Sequence, residues 1–265
     1  MSESESEAVT RPVAEVYEEF FVPAILQAWA NRVAETAGIQ TGQSVLDVAC
    51  GTGILARTVA ERVGPKGAVI GIDPSEGMLT VARRKAPAIE WRDGRAEALP
   101  FEANRFDAVV SQFGLMFFED RRLAIQEMWR ALRPGGHLAV AVWDSLENTP
   151  GDFAVVNLLE RLYGQGVAEG WRLAHALGDA EILSALFTAA GVARAEIMGQ
   201  EGVARFPSLR AWLLIEVKAW LLGDRMDEIQ FEEFLREAAE RLRPFGASDG
   251  AVALPAPAYI VTATK

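Results

Sequence analysis

Short, unbroken apolar runs recur along the first two thirds of the chain, each followed by a stretch with helical periodicity. Strands are predicted at Ser44–Val48, Ala68–Ile72, Ala88–Arg92, Ala108–Ser111 and His137–Trp143. Continuous rather than alternating apolar runs suit a parallel sheet covered on both faces. Helices are predicted from about Thr52 to Arg62, from Pro74-Ser75 to about Ala86 and over 119–132. Proline tolerates a first helical turn and serine can cap one, Pro87 stops the second helix, and Glu119 and Asp120 favour the N-terminus of the third. Strands alternating with helices give right-handed crossovers and a doubly wound α/β sheet.

Either side of that core the pattern changes. Residues 12–37 read as helix with a break or kink near Pro23. After Trp143, helices are predicted at Phe153–Tyr163, Asp179–Ala190, 208–222 and 227–242, with a sixth strand at Val192–Met198 and a β-rich tail at Ala258–Thr264. The division is therefore a tail at 1–10, an N-terminal helical lid at 11–38 and a cofactor-binding core at 39–145. It continues with a cap segment at 146–178, a core helix and strand at 179–205, a helical insertion at 206–250 and a last core strand at 251–265.

Composition narrows the function. Half of the 265 residues are apolar, so a full core can be buried. The net charge is −11 with lysine and arginine scattered, which argues against a nucleic-acid partner or an anionic membrane surface. Cys50 is the single cysteine, so a reducing compartment is expected and no intrachain disulfide can form. No apolar run approaches the roughly 20 residues of a membrane span. The acidic Ser2-Glu3-Ser4-Glu5-Ser6-Glu7 stretch lacks the basic residues of a targeting peptide and reads as a disordered tail. A cytoplasmic protein is expected.

The chemistry concentrates at Val45-Leu46-Asp47-Val48-Ala49-Cys50-Gly51-Thr52-Gly53, and at Val69-Ile70-Gly71-Ile72-Asp73 twenty residues later. A buried strand running into a glycine turn, then a second strand ending in an acid, is how an open α/β sheet holds an adenosine-bearing cofactor. An alanine, Ala56, stands where a dinucleotide site places its third glycine, so the glycines alone do not choose the cofactor. Asp47 would repel a pyrophosphate and welcome an ammonium. Asp73 suits a ribose diol, since one carboxylate can accept from both hydroxyls. A ribose, a cationic end and no phosphate describe S-adenosylmethionine.

The chain at this point resembles the class I S-adenosylmethionine-dependent methyltransferases. The matching blocks are Val45–Gly53, Ile70–Asp73, Ala96-Glu97-Ala98-Leu99-Pro100-Phe101, Phe106-Asp107-Ala108-Val109-Val110 and Leu132-Arg133-Pro134-Gly135-Gly136. The nearest look is to the branch containing ubiquinone and menaquinone biosynthesis methyltransferases, over roughly residues 40 to 145. The resemblance implies a Rossmann-like, seven-stranded, mostly parallel sheet whose last strand runs antiparallel between the fifth and sixth. It implies cofactor contacts at Asp47, Ala49, Gly51, Gly53, Asp73, Pro74, Met78, Ala96, Ser111 and Gln112, with Pro74 and Met78 near the adenine edge. One departure stands out: Arg95 occupies the place of an aspartate that accepts from the adenine amine in many members. Arginine only donates, so adenine recognition would rest on the Ala96 backbone N–H.

Each candidate also has a plain structural reading. Asp47 and Asp73 could cap turns, and the glycines could serve the turn alone. Cys50 has no visible base and reads as packing. Gln112 could be a loop polar group. Tyr17 could present its ring to the sulfonium or merely pack its helix. His175, in the cap, is a candidate general base or an incidental residue; His137 reads as structural. Trp143, at the carboxyl end of a strand, is placed to meet the acceptor, whereas Trp212 and Trp220 read as a helix core stripe. Tyr17, Trp143 and His175 are thus the candidate substrate contacts, and Gln112, Tyr17 and His175 the candidate catalytic groups. No metal-ligand set is visible, so no metal is expected.

The expected reaction is in-line methyl transfer to a small-molecule acceptor, expected to be apolar or aromatic, with alignment and water exclusion as the protein's main contribution. The alternatives are a non-catalytic cofactor-binding or partner module, an NAD-dependent oxidoreductase, and a nucleic-acid methyltransferase. The last is disfavoured by charge and by Ser111-Gln112-Phe113-Gly114 standing where an Asn/Asp-Pro-Pro-Tyr/Phe motif would be.

Overall fold

The computed structural model describes residues 12–217 and 226–265. The expected tail at 1–10, the end of the helix expected at 208–222 and Trp220 lie outside the described residues. Seven strands form one sheet in the order β3-β2-β1-β4-β5-β9-β6. They are β1 (Ser44–Val48), β2 (Ala68–Asp73), β3 (Glu90–Asp93), β4 (Phe106–Gln112), β5 (Leu132–Trp143), β6 (Glu196–Gln200) and β9 (Ala258–Thr264). β1 pairs in parallel with β2 through Val45↔Val69 and with β4 through Val45↔Ala108. β9 runs antiparallel to both β5 and β6. The chain winds outward through β2 and β3, then returns to start the other half at β4. The switch between β1 and β4 opens a crevice at the strands' carboxyl ends.

Val45, Leu46, Val48, Val109, Val110 and Leu138 are buried under helices on both faces. That two-sided burial explains the unbroken apolar runs. Strand six starts at Glu196, later than expected, because residues 192–195 finish the preceding turn. The helix after the glycine turn begins at Ile54, because Gly53 takes a left-handed conformation (φ 86°) as its N-cap.

Three features differ from the sequence expectation. The N-terminal helix does not break at Pro23. It passes from Val13–Val16 into a wide π-helical stretch, Tyr17–Leu26, and on into Gln27–Thr36. The wider turn accommodates a residue that has no N–H to donate and whose ring would crowd an α-helical turn. The stretch is pinned by Glu15 to Arg84 and by Glu18 to Arg57, whose guanidinium also donates to the Thr52 carbonyl at 2.7 Å. The second difference is a two-stranded ribbon, β7 (Val203–Phe206) with β8 (Val252–Pro255), absent from the expected layout. It pairs through Phe206↔Val252 and so closes the base of the expected 206–250 insertion. Within that insertion the described helices are Leu209–Leu213, whose helical turns continue to Val217, and Glu228–Arg241. The third concerns the cap helix, which starts at Pro150, three residues before the expected Phe153.

No helix among the described residues is long and apolar enough to cross a membrane. Among them there is also no group of three or more His, Cys, Asp or Glu able to hold a metal ion.

Candidate functional site

A cavity of about 500 Å³ opens at the carboxyl ends of β1, β2, β4 and β5. Its floor is the sheet and the glycine turn. Its roof is the π-helical stretch on one side and the cap on the other.

At the β1–β2 end, Asp73 lines the cavity with its side chain held rigidly. One carboxylate oxygen accepts from the Gly51 N–H at 2.9 Å and the other from the Ser75 N–H at 2.9 Å. Each oxygen keeps a further lone pair for a ligand hydroxyl. The turn role and a ligand role thus coexist. The helix cap itself is Ser75, which accepts from the Met78 N–H. Burial raises the Asp73 pKa, and the two backbone donors work against that rise. Pro74, Met78 and Ala96 line the same end, as do Ala49 and Gly51. Arg95 lies at the rim, where Glu97 and Glu119 take its guanidinium, the latter at 3.0 Å. It is turned away from the adenine-facing role that an acid would fill.

Asp47 is 1% exposed and does not itself line the cavity. Neither of its oxygens makes a well-formed hydrogen bond, and the nearby Ala56 N–H interacts with it only weakly. Burial raises its pKa well above the usual range, with the Ala56 N–H working against the rise and the Asp73 charge adding to it. A buried, unpaired carboxylate is a costly object, and a cationic ligand group is what would complete it. Ser111 is likewise buried with an unpartnered hydroxyl and lies behind the cavity wall. These orphaned acceptors, and a glycine turn whose Gly51 faces the cavity, fit an S-adenosylmethionine with its ammonium toward Asp47 and its ribose at Asp73. The molecule would supply an activated methyl group.

Gly53 faces away from the cavity. A methyl group there would overlap the Trp91 indole, which is wedged between Gly53 and Gly71 and donates to the Ala86 carbonyl at 2.9 Å. Gly53→Ala is expected to cost about 2–4 kcal/mol of stability, from overpacking plus a left-handed backbone. Urea unfolding checks this, and a midpoint shift smaller than that of an exposed-helix glycine substitution would show the wedge to be unimportant.

Tyr17 stands over the turn, its ring about 3.9 Å from where a Gly51 side chain would start. Burial and the surrounding Asp73, Glu18 and Asp47 charges raise its pKa, so the phenol stays protonated. Gln112 donates to the Leu26 carbonyl at 3.0 Å, tying the end of β4 to the π-helical roof, while its own side-chain oxygen is buried without a partner.

The other end of the cavity is aromatic. Trp143 stacks on Phe113 at 3.5 Å between centroids and 8° between planes, with Trp29 edge-on to both. Trp171 meets Trp212 edge-on at 6.3 Å, and Phe206 lies against Trp212 at 6.0 Å. Trp212, read from the sequence as helix core, is a cavity wall as well as buried. His175 lines this end, its side chain 6% exposed. The His137 ring meets the Thr264 hydroxyl at the other end of β5 from Trp143, and His137 does not line the cavity.

Two acids at this end were missed. Asp152, in the first turn of the cap helix, resembles an ordinary helix-start acid. Glu216 did carry a signal: it is a lone acid within Trp212-Leu213-Leu214-Ile215-Glu216-Val217. An acid in an apolar helical run is rarely buried without a reason.

A mostly parallel seven-stranded sheet with this last antiparallel strand and this crevice defines the class I S-adenosylmethionine-dependent methyltransferase fold. Residues 45–136 match the family described as a methyltransferase domain. The chain is 37% identical over 153 residues to a demethylmenaquinone methyltransferase of Listeria welshimeri, a match covering 54% of this chain and 64% of that protein. It is 43% identical over 113 residues to a demethylmenaquinone methyltransferase of Staphylococcus aureus, covering 42% of this chain and 47% of the other. The chain thus spans less than two thirds of the length of the curated relatives it matches. The solved YcgJ protein of Bacillus subtilis superposes with a TM-score of 0.60 at 21% identity, over 89% of this chain and 97% of that one. Residues 45–136 thus match a methyltransferase domain, and the fold around them is shared with the solved YcgJ protein.

Proposed function

We propose that this protein transfers the methyl group of S-adenosylmethionine to a small-molecule acceptor with an apolar or aromatic body. One observation supports this above the rest: a single cavity runs from Asp73 and Gly51 to the Trp143, Trp171 and Trp212 walls, so two ligands can lie end to end. The residues that would hold the cofactor are Asp47, Ala49, Gly51, Asp73, Pro74, Met78 and Ala96. The aromatic end would bury the acceptor and exclude water. Enclosure and alignment carry most of the rate for such a displacement. The relatives are named for an aromatic acceptor, and stacked Trp143 and Phe113 offer a surface for a flat aromatic body here. We place the protein in the cytoplasm, on its acidic charge and single cysteine.

Isothermal calorimetry tests the cofactor. S-adenosylmethionine and S-adenosylhomocysteine are expected to bind the wild-type protein in the micromolar range, and NAD not at all. Radiolabelled cofactor incubated with fractionated cell extract tests the reaction. Label on a small molecule supports it, while label on nucleic acid, or NAD binding alone, would overturn it. A non-catalytic module is the second reading. The room at the aromatic end disfavours it, since a module would need no acceptor-sized space there.

A further inference from the structure

Asp152, His175 and Glu216 arrive at the aromatic end of the cavity from three separate helices of the cap. The Nδ1 atom of His175 lies 2.7 Å from the Asp144 carbonyl oxygen. A carbonyl can only accept, so the proton sits on Nδ1 and Nε2 is left with a bare lone pair. Nε2 lies 3.7 Å from the Asp152 carboxylate, too far for a hydrogen bond. The Trp212 side chain donates to the Glu216 carboxyl. Among the described residues, neither Asp152 nor Glu216 has a lysine or arginine partner. Among the described residues, five acids line the cavity, Asp73, Glu97, Glu119, Asp152 and Glu216, against one arginine, Arg95. That arginine is engaged by Glu97 and Glu119 at the far rim. Gln112 adds a buried, unpartnered side-chain oxygen to the lining. The acceptor end therefore offers hydrogen-bond acceptors, ionisable carboxyls and aromatic faces.

We propose that the acceptor carries a basic amine, bound as its ammonium ion by Asp152, Glu216 and the Nε2 atom of His175, within walls formed by Trp171 and Trp212. The proposal rests on the methyl-transfer reading and names the acceptor class for it. Carboxylates with aromatic faces are the chemistry that recognises an alkylammonium. An acceptor ending in a carboxylate or phosphate would meet two acids there and, among the described residues, no lysine or arginine. A neutral acceptor would leave the two half-buried acids to keep their protons, with no cation to displace them.

The proton balance is simple. The ammonium gives one proton to a carboxylate or to Nε2. The freed nitrogen lone pair forms the new carbon–nitrogen bond as the methyl carbon–sulfur bond breaks, with that electron pair remaining on sulfur. The product leaves as a methylated ammonium.

The titration of the cluster agrees with this arrangement. Burial pushes the Asp152 carboxyl up to about 7. Burial, then the nearby Asp152 charge, pushes Glu216 up to about 8, against the pull of the Trp212 donor. Burial lowers the His175 pKa, opposed by the Asp144 carbonyl and by the Asp144 and Glu147 charges. Near neutral pH the empty cluster holds protons that an arriving cation would displace. Amine affinity is therefore expected to rise with pH from about 6 to 9, as the carboxyls ionise, while the amine itself stays charged until about 10.

The test uses matched probes in the presence of saturating S-adenosylhomocysteine. Phenethylamine, 2-phenylethanol and phenylacetate share one ring and chain. Tryptamine, tryptophol and indole-3-acetate form a larger set. Binding is read by calorimetry. In at least one set the amine is expected to bind tenfold or more tightly than its alcohol, with the acid undetectable. Glu216→Gln and Asp152→Asn are expected to reduce that preference to threefold or less while S-adenosylhomocysteine affinity is unchanged, which also shows that the variants fold. If in both sets the alcohol or acid binds as well as the amine, or if the preference survives both variants, the proposal is wrong. Amine preference without any S-adenosylhomocysteine binding would sink the methyl-transfer reading and leave the amine site standing. S-adenosylhomocysteine binding without amine preference would do the reverse.

Discussion

Asp73→Ala is expected to weaken S-adenosylhomocysteine binding about 100-fold. The carboxylate lies at the cavity wall with a free lone pair on each oxygen, and two ribose hydroxyls would each donate a charge-assisted hydrogen bond. Such bonds are worth about 1.5–3 kcal/mol apiece, and losing part of the pair corresponds to roughly two powers of ten in affinity. The same change strips acceptors from the Gly51 and Ser75 N–H groups. The turn that faces the ligand loosens, and the apo protein is expected to lose about 1–3 kcal/mol of stability. Asp73→Asn separates the two effects, because it keeps an acceptor for one N–H while losing the charge. Calorimetry at a temperature well below each variant's melting point is the measurement. An affinity within threefold of wild type for Asp73→Ala would remove the ribose contact from the account.

Asp47→Asn is expected to move stability and binding in opposite directions. Asp47 is buried with no well-formed hydrogen bond to either oxygen, and burial raises its pKa against the weaker pull of the Ala56 N–H. Below the ordinary aspartate pKa, both folded and unfolded chains carry the proton and nothing is lost. As the pH rises above that value the unfolded chain ionises while the folded chain resists, so stability falls until the raised folded pKa is passed. Removing the ionisable group should therefore leave melting near pH 3 unchanged. At pH 7 it should stabilise the apo protein by about 2 kcal/mol, roughly 4–8 °C in melting temperature for a chain of this size. S-adenosylmethionine affinity should fall about tenfold, because the charge that faces the ammonium is gone. Equal melting of both proteins at pH 7 would mean that the carboxylate is satisfied in solution.

The sheet was legible because its strands are buried on both faces, so their apolar runs are unbroken and the glycine turn and Asp73 fix where ligands gather. The place of the last strand followed from the family resemblance rather than from the run Ala258–Thr264 itself. The cap was harder to read. Its helices are amphipathic whether they face a core or a cavity, and that is why Trp212 passed for core. The roof at Pro23 was not legible because a π-helical stretch has no distinctive residue pattern; the wide turns that take in the proline leave Phe21, Ile25 and Leu26 lining the cavity. The β7–β8 ribbon is four residues long on each side, too short for alternation to stand out. Asp152 was hidden as a helix-start acid. Glu216 could have been found by asking why a charge interrupts Trp212–Val217.

The β7–β8 ribbon makes residues 207–251 a cassette. The chain departs after Phe206 and returns at Val252, directly opposite it. The excursion can be exchanged between proteins without recutting the seven-stranded sheet. Trp212 and Glu216 travel with it, while Trp143, Asp152 and His175 stay behind. A graft at this ribbon would thus replace the Trp212 and Glu216 wall of the acceptor surface and leave the cofactor's side untouched, offering protein engineers a ready point at which to retarget one and keep the other.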